Sequence, residues 1–161
     1  MLATLMKDGG NRVEYIHVGA AGTPTAVGFY VCGEPWEQAA PADNVKQRLY
    51  TGLYRVEQEL GSQNLVAVYV DVGRRVLEQR PAYRQLVRDL RAGMFRRVFV
   101  LALRDLAERP EEWARLQHLL KELDGLEIIR YDTHACRLVA LSAAHPAQGR
   151  GVEDERQKEE A

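Results

Sequence analysis

A chain of 161 residues, 46% apolar and 28% charged, has the length and composition of one globular domain. Its 22 Lys and Arg against 23 Asp and Glu leave a formal charge of -1, which removes the bulk attraction for polyanions that nucleic-acid modules usually carry. Two cysteines, Cys32 and Cys136, are too few for a disulfide framework, and the longest apolar runs, 65–70 and 98–103, are far too short to cross a membrane.

The opening MLATLMKD is too short for a signal-peptide core and no internal repeat is present, so the expected address is the cytoplasm. Residues 12–18 have the character of a strand with poor alternation, and 19–25 form a Gly/Thr/Pro loop. The continuous apolar run 26–32 (AVGFYVC) predicts a strand buried on both faces. Asp43 or Asn44 is placed to cap a helix starting at Val45, with Leu49, Leu53, Val56 and Leu60 recurring at three and four and Gly61 as its stop. A second buried strand covers 64–70 and closes on Asp71. Arg80-Pro81 opens a helix with the stripe Tyr83, Leu86, Val87 and Leu90, ended by Gly93. Residues 98–103 predict a third strand. Pro110-Glu111-Glu112 starts a further helix striped by Trp113, Leu116, Leu120 and Leu123, and 126–131 a fourth strand, with 137–142 able to add another.

Strands alternating with helices in this way predict a three-layer α/β domain, a mostly parallel sheet with crossover helices. Residues 1–25 are then an N-terminal extension with room for one strand, 26–145 the domain, and 146–161 a charged, disordered tail.

Ligands of open α/β sheets bind at the carboxyl ends of the strands. Those ends carry Glu34, Asp71, Asp105 and Glu108, which can be read as an acidic pocket for magnesium-dependent phosphoryl transfer or hydrolysis. The plainer reading makes them helix caps facing water, and it is preferred because no close Asp-x-Asp pair supports a metal. Arg84, Arg88 and Arg91 share one helical face, with Arg96 and Arg97 in the next turn, and such a face can contact phosphates non-specifically. A solvated face is the simpler alternative at this net charge. His17, His118, His134 and Cys136 lack metal-site spacing, Gly19-Ala20-Ala21-Gly22 precedes a strand rather than joining strand to helix, and Ser62 and Ser142 lie at no nucleophile elbow. No metal and no cofactor is expected.

The order of motifs resembles the catalytic domain of serine recombinases, the resolvases and invertases, over about residues 26–131. The resemblance rests on Val68-Tyr69-Val70-Asp71, on the block from Arg80-Pro81 through Tyr83, Leu86 and Leu90 to Gly93, and on the run from Phe95 to Leu106. Upstream, Tyr30 and Gln38 match the family's Tyr-x-Arg-Val-Ser-Thr-x-x-Gln motif. The resemblance implies a resolvase-like fold and a relation to DNA recombination, in which a serine attacks a phosphodiester held by arginines. Carried across by position, the nucleophile slot holds Glu34 and the first-strand arginine slot Cys32. In the family's Leu-Asp-Arg-Leu-x-Arg motif the aspartate slot holds Arg104, and the two arginine slots hold Asp105 and Glu108.

A reversed charge at about 4 Å costs roughly 4 kcal/mol at a surface-like dielectric, and each 1.36 kcal/mol is about tenfold in rate. The expectation is therefore a catalytically degenerate domain that acts by binding or regulation. Only an alcohol such as Thr23 or Thr25 beside clustered guanidinium groups would reverse it. Family members continue into a long dimerisation helix and a DNA-binding module, whereas residues 134–161 hold no long amphipathic period. The expected partners are a protein or a second copy of the chain, with DNA resting on the arginine face alone.

Overall fold

A computed structural model describes residues 10–35, 40 and 42–143. Residues 1–9 of the expected extension, the whole expected tail 146–161, and Gln38 of the first-strand motif lie outside the described residues. The apolar runs form the parallel centre of one six-stranded sheet: β2 (Val27–Gly33), β3 (Leu65–Val72), β4 (Arg97–Phe99) and β5 (Glu127–Asp132). Antiparallel strands flank them, β1 (Arg12–Tyr15) on β3 and β6 (Arg137–Ser142) on β5, in the order β1-β3-β2-β4-β5-β6. Every residue of β2 is buried, as a strand covered on both faces requires.

The cover comes from three helices in two layers. Helix α1 (Val45–Glu59) lays Val45, Leu49 and Val56 on Phe29, Val31, Val68 and Val70. Helices α2 (Pro81–Arg91) and α3 (Pro110–Glu122) cover the opposite face, where Leu86, Leu90, Leu116 and Leu120 share a core with Tyr30, Cys32 and Tyr69. The expected three-layer α/β arrangement, a mostly parallel sheet with crossover helices, is what forms. Gly52 lets α1 approach the sheet closely: a Cβ there would stand 1.9 Å from Cζ of the Phe29 ring.

Each helix starts on a different device. Asn44 caps α1, its Oδ1 accepting from the main-chain N–H groups of Lys46 (2.8 Å) and Gln47 (3.2 Å). Glu112 folds back in α3 to accept from the N–H groups of Glu108 and Arg109, at 2.8 and 3.1 Å. The first N–H groups of α2 are satisfied from outside the helix, by Asp71 at the end of β3.

Two expectations need correction. Residues 98–103 are not one strand, because β4 pairs over Arg97–Phe99 alone. Past Val100, whose N–H still reaches the Ile129 carbonyl at 2.9 Å, the chain leaves the sheet for a 3₁₀ turn at Leu103–Asp105. Val98 to Val100 are buried in the sheet, while Leu101 and Leu103, half-buried, pack against the cores on its two faces without pairing to a strand. Arg96 and Arg97 likewise do not continue the α2 face. The helix ends at Arg91, Arg96 turns back to donate to the Leu90 carbonyl at 3.0 Å, and Arg97 opens β4.

Candidate functional site

The carboxyl ends of β2 and β3 stand side by side, with Cys32 paired to Asp71 in register. Because β4 stops at Phe99, residues Tyr30 to Gly33 of β2 have no β4 partner, and the turn at Leu103–Asp105 lies beyond that gap. Three guanidinium groups meet there. Arg48 comes from α1, on one side of the sheet, and its Nη2 bonds Oδ2 of Asp105. Arg74, just past β3, reaches Oδ1 of the same carboxylate with both Nη atoms at 3.4 Å. Arg80, at the mouth of α2 on the other side, donates from Nη1 to the Asp105 main-chain oxygen at 2.8 Å and from Nε to that of Arg75 at 2.7 Å. Asp105 is wholly buried, and Arg48 is 7% exposed.

The rest of the cluster is bonded inward. Tyr30 donates its hydroxyl to Oδ2 of Asp71 at 2.9 Å, and the same carboxylate accepts from the N–H groups of Ala82 and Tyr83, each at 2.9 Å. Cys32 turns its thiol to the Gly73 carbonyl at 3.5 Å. Burial pushes the Tyr30 hydroxyl well above the ordinary phenol range. It also pushes the Cys32 thiol up, against the opposing pull of Arg80 and Arg74, so this sulfur is the reverse of an activated nucleophile. Burial likewise raises the Asp105 carboxyl, while Arg48 and Arg74 pull it down.

The four strand-end carboxylates do not converge. Glu34 is half-buried where its main chain bridges to Asn44, Asp71 caps α2 from within, Asp105 lies among arginines, and Glu108 is exposed. Among the described residues no three His, Cys, Asp or Glu side chains gather to hold a metal ion. The reading of these acids as water-facing caps is also corrected: Asp71 does cap a helix, but it and Asp105 are buried, at 1% and 0% exposure. Asp71 works inside the core.

Thr23 and Thr25 lie elsewhere. Thr23 donates to the Ala20 carbonyl and Thr25 to Oδ1 of Asn64, both exposed at the amino end of β2. Arg104 pairs on the surface with Asp43 at 3.6 Å. Of the arginine face, Arg84, Arg88 and Arg91 stand together on exposed α2, while Arg97 bonds the Thr25 carbonyl. His118, His134 and Cys136 are exposed and apart from the cluster.

Sequence reasoning missed Arg48, Arg74 and Arg80. Arg48 did carry a signal: it is three residues after Val45 and four before Gly52, on the stripe that α1 turns inward. A charged residue there needs a buried partner.

No protein-family model matches the chain, and no curated protein sequence matches it. In three dimensions the chain is similar to the crystal structure of the N-terminal catalytic domain of TP901-1 integrase, with a TM-score of 0.55 and 17% sequence identity, over 83% of this chain and 98% of that one. The likeness is one of fold. Among the described residues no helix is long and apolar enough to cross a membrane.

Proposed function

We propose that this chain is a recombinase-like domain whose strand-cleaving centre has been replaced by an internal ion-pair cluster, so that it acts by binding or regulation and not on phosphodiesters. One observation carries the reading: the Asp105 carboxylate stands between Arg48 and Arg74, in a slot where the resemblance calls for a phosphate-holding arginine. An attacking centre needs guanidinium groups open to the phosphate, so that their donors meet charge developing in the transition state. Here Nη2 of Arg48 and both Nη atoms of Arg74 already face the Asp105 carboxylate, and the nucleophile slot of the resemblance holds Glu34, which has no hydroxyl.

The magnitudes favour this reading. One misplaced negative charge about 4 Å from a phosphate costs roughly 4 kcal/mol at an effective dielectric of about 20. That is close to a thousandfold in rate. The buried, bonded thiol of Cys32 does not compensate.

The experiment is incubation of the purified chain with supercoiled DNA, quenching with detergent, and a search for a covalent protein–DNA adduct. No adduct and no relaxed DNA are expected. A serine- or cysteine-linked adduct overturns the proposal.

A further inference from the structure

Helices α2 and α3 enclose a groove of about 420 Å³ on the outer face of the domain. Its wall is mostly apolar, built from half-buried Val87 and from the outer edges of Leu77, Tyr83 and Leu119, which are otherwise buried. Its rim is cationic, with Arg84, Arg88 and Arg91 on α2 and Arg115 and His118 on α3.

Two of those guanidinium groups are already neutralised. Arg115 binds Glu78 at 2.5 Å, and Arg91 grips Glu122 through Nε and Nη2 at 2.8 and 3.0 Å. Arg84 and Arg88 differ. Arg84 donates to the main-chain oxygen of Glu78 and Arg88 to Oε1 of Gln85, both at 2.8 Å, and neither meets a carboxylate among the described residues. The neighbouring Asp89 is turned inward, where it accepts from Tyr15, Tyr69 and Gln85. Two like charges one helical turn apart repel modestly, yet both are held at the edge of the same apolar trough.

We infer that this groove receives an acidic amphipathic segment of a partner protein, its apolar side chains against Tyr83, Val87 and Leu119 and its carboxylates on Arg84 and Arg88. A helix laid in a groove places such groups at three- and four-residue spacing. A nucleic acid fits the surface less well: Glu78 and Glu122 interrupt the cationic rim, and the whole chain is not basic. The inference uses no residue of the buried arginine cluster, so it stands or falls apart from the reading of that cluster.

The test is selection of short random peptides on the immobilised full chain, in parallel with the double variant Arg84→Glu/Arg88→Glu. Sequences enriched on the unaltered chain are expected to be rich in Asp and Glu, with apolar residues at three- and four-residue intervals. A synthesised winner should bind the double variant at least about tenfold more weakly, and its amide shifts should map to Leu77–Gln79, α2 and α3. Enriched peptides without an acidic bias, equal affinity for the double variant, shifts on another face, or no enrichment at all would each overturn the inference, as would single-stranded DNA binding through Arg84 and Arg88 in place of peptide. Both side chains are exposed; a melting curve checks that the variant folds, and Arg84→Gln/Arg88→Gln replaces it if it does not.

Discussion

Asp105 and Arg48, 57 residues apart, form a buried ion pair in which the carboxylate has no exposed surface and the arginine side chain is 8% exposed. Removing Asp105 strands the Arg48 charge in the protein interior, whereas replacing both with apolar groups of similar volume leaves only Arg74, whose side chain is 15% exposed, without its carboxylate.

Asp105→Leu is therefore expected to lower stability by about 3–5 kcal/mol, and Arg48→Met by less, because Arg74 still faces the Asp105 carboxylate. The double variant Arg48→Met/Asp105→Leu should lose less than the sum of its parts. Urea unfolding of all four proteins gives the coupling; strict additivity would show that the pair is not energetically linked.

Asp71 acts at the start of α2 without belonging to the helix. Asp71→Ala removes the acceptor for the N–H groups of Ala82 and Tyr83 and for the Tyr30 hydroxyl together. A lost cap costs about 1 kcal/mol and each buried unsatisfied group about 1–3 kcal/mol, so a loss of at least about 3 kcal/mol is expected. Native-state hydrogen exchange should show the first turn of α2 losing protection before α3 does.

Gly52 and Phe29 are in contact across α1 and β2. Gly52→Ala drives a methyl into the ring and should cost about 1–3 kcal/mol, the range for overpacking. Phe29→Leu in the same background is expected to recover part of that loss. If the pair is additive in thermal unfolding, the close approach does not govern the packing of α1.

Tyr15 and Tyr69 share one acceptor, Oδ2 of Asp89, each at 2.7 Å. Burial first, and the bond to Asp89 second, push the Tyr15 phenol up to about 12 from an ordinary 10.0. An acid whose folded pKa is raised keeps its proton in the native state while the unfolded chain ionises. The contribution is complete below pH 10 and is lost as pH rises through about 12. Melting temperature should fall across that window, and Tyr15→Phe should flatten the fall, though only in part: Tyr15 is 43% exposed, and Tyr69 is pushed up for the same reasons.

The alternation of elements was legible because β2 and β3 are continuous apolar runs and the helices carry clean three-and-four stripes between recognisable starts. The end of β4 was not. Val100 and Leu101 are as apolar as Val98 and Phe99, and only their neighbours in space decide which pair with strands. The candidate site was legible to the same extent. Its place at the carboxyl ends of the strands, and the Cys32 and Asp105 slots, came from topology and motif order. Its composition did not, because Arg48, Arg74 and Arg80 converge from α1, the end of β3 and the mouth of α2, and no spacing along the chain records that meeting. Arg80 is legible as part of the Arg-Pro helix start, but nothing in that motif reports its bond to Asp105.

The brevity of β4 has a mechanical result. A full-length strand would separate the two helical layers along the whole sheet; with its last turn missing, Arg48 from one side and Arg80 from the other both fasten to Asp105, one by side chain and one by main chain. The domain is thus riveted through its own sheet at a single residue. Arg48 of α1 and Arg80 at the base of α2 are joined through Asp105 by a route shorter than any along the polypeptide.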